Sequence, residues 1–196
     1  MHKLTIGAGF LLFALAACSS EPARNEGEGN SASPAKASAP ASAPAPAQAP
    51  AAPIVLEGSG IRIPSASPPR SLAFDSLEAE TLDALTKALG RPPTERGEND
   101  ECGGGGMKFA EWKGELTAWF LDGRFAGWDS KGGLKTLEGI GIGSPRTELA
   151  TLPGFEVEES TLGTEFRSGG LSGTFDSKSP GAKVTHLWGG ATCVFR

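Results

Sequence analysis

Leu116-Thr117-Ala118-Trp119-Phe120-Leu121-Asp122-Gly123-Arg124-Phe125-Ala126-Gly127-Trp128 carries the clearest structural signal in the sequence. Two alternating apolar runs flank Asp122-Gly123. A two-residue Asp-Gly link is the strongest short-range sign of a β-hairpin, because both turn positions need positive φ. Strands are therefore expected over residues 116–121 and 124–128. In a regular hairpin Leu121 faces Arg124, Phe120 faces Phe125, Trp119 faces Ala126 and Thr117 faces Trp128. A period of two then places Leu116, Phe120 and Phe125 on one face. The other face carries Thr117, Trp119, Leu121, Arg124 and Trp128.

Outward from the hairpin, further strands are expected over residues 155–160, 163–167, 171–175, 183–188 and 191–195, separated by Gly-rich joints. Ser76-Leu77-Glu78 opens a helix, with Ser76 as N-cap and Glu78 and Glu80 in the first turn. Leu82, Leu85 and Leu89 follow at helical spacing, and Gly90 with Pro92-Pro93 ends it. A shorter helix is expected from Ser144-Pro145 to Pro153-Gly154.

Laid on itself, this region repeats. Leu56-Glu57-Gly58-Ser59-Gly60-Ile61 matches Leu137-Glu138-Gly139-Ile140-Gly141-Ile142, and each is followed by a helix and then strands. Leu116-Thr117-Ala118-Trp119-Phe120 then matches Leu171-Ser172-Gly173-Thr174-Phe175 in the same order. The reading is α+β: two tandem helix-plus-antiparallel-sheet units at about residues 56–133 and 137–196, within a domain spanning 54–196. The matched strands keep Leu116/Leu171 and Phe120/Phe175, whereas Trp119 becomes Thr174. The kept face is the expected core. Thr117, Trp119, Leu121, Arg124 and Trp128 are left for a partner, since Trp and Arg are enriched in binding hot spots. The competing reading packs these Trp side chains beneath residues 54–74.

Gly143-Ser144-Pro145-Arg146-Thr147-Glu148-Leu149, together with the tandem order, resembles the helix starts of the beta-lactamase-inhibitor-protein-like fold and its smaller SmpA/OmlA-like outer-membrane lipoprotein relatives. The resemblance covers about residues 56–196; the first half keeps Asp75-Ser76 and Leu82 of the pattern. It implies protein binding, either inhibition of a beta-lactamase or support of barrel assembly, and it brings no catalytic residues.

The first 17 residues have a different role. Met1-His2-Lys3 precedes an apolar run, Leu4 to Ala17, shorter than the roughly 20 residues needed to span a bilayer. The layout is that of a secretory signal peptide. Leu15-Ala16-Ala17-Cys18 resembles the lipobox of bacterial lipoproteins, which implies cleavage before Cys18 and lipidation of its thiol with palmitate-class chains. Burial of an acyl chain contributes ~0.8 kcal/mol per CH2, so several chains anchor stably. Ser19, not Asp, follows the cysteine, and by the same resemblance this favours the outer membrane, facing the periplasm. Residues 18–53 are dominated by Ala, Pro and Ser from Ser31 on. They are expected to form a disordered, polyproline-like tether reaching on the order of 100 Å.

With Cys18 lipidated, Cys102 and Cys193 form an even pair in an oxidising compartment and read as a structural disulfide. The remaining chemistry is sparse. The chain carries a net charge of -5 and has no basic stripe, which excludes nucleic acid as a partner. Two His and three Cys leave little material for a zinc site. His186 has no GxSxG-type nucleophile near it and reads as a solvated or core-edge side chain. Glu95, Glu98, Asp100 and Glu101 lack the order of a calcium loop and read as solvated charge. Glu156 and Glu158 share a strand face without an opposing carboxylate. Gly103 to Gly106 lacks the Lys-Ser/Thr of a P-loop, and the glycines from 139 to 143 lack the Rossmann spacing. No metal, cofactor or catalytic residue is expected. The expected function is non-enzymatic protein binding by a membrane-anchored envelope lipoprotein. A small-ligand or structural module, or an envelope hydrolase, stands as the alternative.

Overall fold

The computed structural model of the chain describes residues 53–102 and 105–193. The expected signal peptide, Cys18 and the expected tether up to residue 52 lie outside the described residues, as do Val194 and Phe195 of the last expected strand.

Three short strands open the fold: β1 (Val55–Glu57), β2 (Gly60–Ile63) and β3 (Arg70–Ala73), joined as an antiparallel sheet in the order β1-β2-β3. Helix α1 (Glu78–Leu89) then leads into β4 (Glu95–Asn99), β5 (Met107–Trp112), β6 (Leu116–Leu121) and β7 (Arg124–Ser130). A one-turn helix, α2 (Arg146–Leu149), precedes β8 (Glu156–Ser160), β9 (Gly163–Ser168), β10 (Leu171–Phe175) and β11 (Val184–Gly190). The last eight strands form one sheet in the order β4-β5-β6-β7-β11-β10-β9-β8. Among the described residues the protein is mostly antiparallel β-sheet with few, short helices. Two meanders meet last strand to last strand, with Ser130 opposite Leu187 and Gly127 opposite Gly190.

One face of the large sheet makes the core. Ala118, Phe120, Phe125, Phe166 and Phe175 join Ile54, Leu56, Ile61 and Leu72 of the small sheet, Leu85 of α1 and Leu149 of α2 in a single apolar cluster. Burying each such large side chain contributes about 1.5–3 kcal/mol. The expected inner set of Leu116, Phe120 and Phe125 is buried as the alternation requires. The two Leu-Glu-Gly stretches differ, however. Leu56 is fully buried, whereas Leu137 is 65% exposed.

Both helices start differently from the sequence expectation. Ser76 is not the N-cap of α1; Leu77 is, and the Ser76 hydroxyl donates instead to the Ala73 carbonyl at 2.7 Å. Ser144 is not the cap of α2 either: Pro145 is, and Ser144 Oγ accepts from the Gly141 amide at 3.1 Å. The unsatisfied amides of a helix start are met here by a neighbouring β-connection. The Asp75 amide donates to the Phe125 carbonyl, the Phe125 amide to the Ser76 carbonyl, and the Glu78 amide to the Gly123 carbonyl, at 2.8, 2.8 and 2.9 Å. In the second half Gly143 donates to Val184, Val184 to Ser144, and Arg146 to Ala182, at 2.8, 3.0 and 2.8 Å. The caps share an extended conformation (φ -62° and -73°), preceded two residues earlier by positive φ at Asp75 (73°) and Gly143 (85°). Each helix start is thus docked on the hairpin that ends its own half.

Two more expectations are corrected. The second helix stops after one turn, well before Pro153, and residues 191–193 leave the sheet instead of forming a further strand. Strands β1 to β5 are additions to the expected set: β1 to β3 have only three or four residues and β4 is polar, whereas β5, with Met107, Phe109 and Trp112, was open to reading.

Candidate functional site

The hairpin between β6 and β7 places the candidate site. Asp122 and Gly123 both have positive φ (51° and 74°), as the Asp-Gly link requires. Leu121 pairs with Arg124 and Phe120 with Phe125, as expected. The register then slips at a bulge, so that Trp119 faces Gly127, Ala118 faces Trp128 and Thr117 faces Asp129. One extra residue on β7 sends every later side chain to the opposite face. Trp128 therefore does not belong to the partner face. It lies 0% exposed in the core, with its indole N–H donating to the Glu57 carbonyl of β1 at 3.0 Å. For this side chain, packing beneath the N-terminal segment is the correct reading. Asp129 takes its place on the outer face.

The crossing at the bulge is close. The Ala191 amide donates to the Ala126 carbonyl at 2.9 Å, and a Cβ on Gly127 would meet the Ala191 carbonyl oxygen at 2.2 Å. Only glycine leaves room for the chain that emerges from β11.

On the outer face three side chains from three neighbouring strands interlock. The Trp119 indole N–H donates to Asp129 Oδ2 at 2.6 Å, and Asp129 Oδ1 meets His186 Nε2 at 3.2 Å. Asp129 and His186 are 14% and 21% exposed. Phe109 lies tilted against Trp119 with ring centroids 5.6 Å apart, and Trp188 lies 5.1 Å from the His186 ring. Trp119, Asp129 and His186 border a depression of about 400 Å³ that Thr117, Glu111 and Lys131 also line. Cys193 lies on its wall. It is disulfide-bonded to Cys102, with the Cα atoms 5.0 Å apart, so the loop after β4 and the segment after β11 are tied together beside Trp119.

Thr117, Trp119 and Leu121 sit half-buried on this outer face, as expected. Arg124 is exposed at the hairpin tip, where its Nη1 donates to the Asp75 carbonyl at 3.0 Å. Glu95 and Glu98 belong to edge strand β4 and Asp100 and Glu101 to the turn after it; no cluster of metal-ligand side chains occurs among the described residues. Glu156 and Glu158 lie on the opposite edge, β8, where Glu158 is paired with Arg167. On the same strand the Glu159 carboxyl is held below the usual carboxylate range by hydrogen bonds from Lys178 and Thr164.

The sequence reading missed Asp129 and the meeting of His186 with it. The available signal was Ala126-Gly127, two small residues in an otherwise bulky strand, a common setting for a bulge. Nothing local announces the His186 contact, which spans 57 residues.

No family model matches this chain, and no curated protein matches it. Among solved structures it is similar to the uncharacterized protein YfeY from Escherichia coli. The identity is 16% and the TM-score 0.44, over 61% of this chain and 92% of that one.

Proposed function

We propose that this protein is a lipid-anchored bacterial envelope protein that binds a protein partner, without catalysis, through the outer face of β4–β7. The carrying observation is Trp119. The other face of the sheet is spent on the core, whereas Trp119 stands on the outer face, fixed by Asp129 and Phe109. A rigid, half-exposed indole loses little conformational entropy on contact, which is why Trp dominates binding hot spots. The Leu15-Ala16-Ala17-Cys18 leader supports lipidation at Cys18, outer-membrane attachment and a periplasmic domain on a tether. The disulfide fits that oxidising compartment. Helix-then-meander order in both halves supports a duplicated, beta-lactamase-inhibitor-protein-like plan with units near residues 56–133 and 137–196.

Trp119→Ala tests the reading. It is expected to keep the fold and the disulfide while abolishing capture of the partner that wild type retains in native envelopes. Undiminished capture would sink it.

The His186–Asp129 pair favours a second reading, an envelope hydrolase, because an Asp-held imidazole is the orienting half of a catalytic triad. That reading requires a hydrolytic activity that His186→Ala removes and Trp119→Phe leaves in place.

A further inference from the structure

We infer, resting on the partner-binding reading above, that the outer face of β4–β7 receives a basic segment of the partner. One arginine or lysine side chain of that segment is seated beside Trp119, between Glu111 and Asp129. Glu95, Glu111, Thr117 and Asp129 stand directly opposite one another across β4, β5, β6 and β7, forming one row on the outer face. Like charges facing each other across a strand pair are destabilising, and Glu95 opposes Glu111.

Among the described residues no ion pair relieves that repulsion. Arg96, on the same strand as Glu95, pairs with Glu78 of α1 at 3.1 Å, and Arg91 pairs with Glu115 at 2.7 Å. Lys131 lines the depression but forms no ion pair among the described residues, and neither do Glu95 and Glu111. In the other half of the sheet Glu158 likewise faces Glu165 across β8 and β9, but there Arg167 pairs with Glu158 and Lys178 with Glu159.

Next to the acidic row lies the aromatic pair Phe109 and Trp119. The edge of the Trp119 indole is engaged by Asp129, which leaves the ring face as its contact surface. A guanidinium or ammonium is attracted both to an indole face and to carboxylates beside it. A second copy of this chain, or an anionic lipid surface, would instead bring like charge to the row.

The test is a titration of the full-length protein with two peptides, acetyl-Arg-Ala-Arg-Ala-Arg-amide and the same peptide with citrulline replacing arginine. The readout is the Trp119 indole N–H resonance, assigned with Trp119→Phe. The arginine peptide is expected to shift that resonance to saturation at low salt. Binding should weaken by at least about tenfold for citrulline, for Glu111→Gln and in high salt. Glu95→Gln should weaken it in the same direction, and it decides the matter if Glu111→Gln does not fold. Equal shifts from both peptides, no shift from either, or indifference to the glutamine variants would overturn the inference. A photo-crosslink from Thr117 into a neutral or acidic partner segment would also overturn it, while leaving partner binding standing. An empty crosslink would overturn both.

Discussion

The two halves of the eight-stranded sheet follow one plan, a helix docked on a hairpin and a four-stranded meander, yet their outer faces differ in kind. On the inner face β6 and β10 present the same side chains at matched positions, Leu116 and Phe120 against Leu171 and Phe175, all buried. On the outer face Thr117 and Trp119 of β6 stand against Ser172 and Thr174 of β10. Polar groups on or beside the second half are satisfied locally: Thr174 bonds Thr185 at 3.0 Å, and Arg167 and Lys178 pair with Glu158 and Glu159. The first half carries the pair Phe109 and Trp119 beside Glu95 and Glu111, which face each other and form no ion pair among the described residues. Close packing imposes the same demand on both inner faces. The outer faces are under no such common demand, and in the proposed function the first half's outer face meets a partner.

The largest expected effect tests how the halves are held. Cys102 and Cys193 close a loop of 91 residues, and opening it by Cys102→Ser with Cys193→Ser should cost up to about 4 to 5 kcal/mol in urea unfolding. Retained stability would mean that the β7–β11 seam and the shared core hold them without it.

The two outer-face candidates of the first half sharpen the contrast next. Trp128→Ala removes a core indole and leaves the Glu57 carbonyl without its donor, for an expected loss of about 3 to 5 kcal/mol. Trp119→Ala should cost roughly 1 to 2 kcal/mol, because the side chain is half-buried and its bond to Asp129 is only partly buried. Denaturation midpoints in the reverse order would contradict the bulge and the face assignment that depends on it.

A smaller effect compares the helix starts. Gly143 occupies the position held by Asp75 in the first half, at similar positive φ and with open space around its Cβ position. Gly143→Val should therefore cost about 1 to 2 kcal/mol of backbone strain, and Gly143→Asp clearly less, because Asp tolerates the left-handed region. Equal costs measured by thermal unfolding would show that the two starts are not equivalent.

The smallest effect belongs to the self-satisfied half. The folded-state pKa of Glu159 is lowered, first by its hydrogen bond with Lys178 and then by that with Thr164. Its contribution is present above the unfolded pKa and lost as pH falls through the folded one. Lys178→Met should flatten the acid limb of the stability curve slightly, and an unaltered limb would remove Glu159 from the acid response.

These comparisons also mark how far the residues could be read directly. Asp122-Gly123 announced the hairpin because two positive-φ positions have few sequence solutions. Leu116, Phe120 and Phe125 announced the core face through alternation, and cysteine counting paired Cys102 with Cys193. Alternation failed one step beyond Phe125, since a bulge at Ala126-Gly127 breaks the period without breaking the strand. Strand β4, Glu-Arg-Gly-Glu-Asn, read as solvated charge because an edge strand is kept polar to deter unwanted pairing. The Asp129–His186 contact was out of reach, as it depends on β7 pairing with β11 across the seam. Helix α2 was read too long, because the pairing of its start with residues 182–184, and not its own sequence, holds it in place.

The most direct test is photo-crosslinking in native cells from a probe at position 117, on the outer face opposite Asp129. The account predicts adducts dominated by one envelope protein, lost when Trp119→Ala is added to the probe-bearing chain. Correctly localised, folded protein that yields no adduct, or adducts indifferent to Trp119, would contradict it.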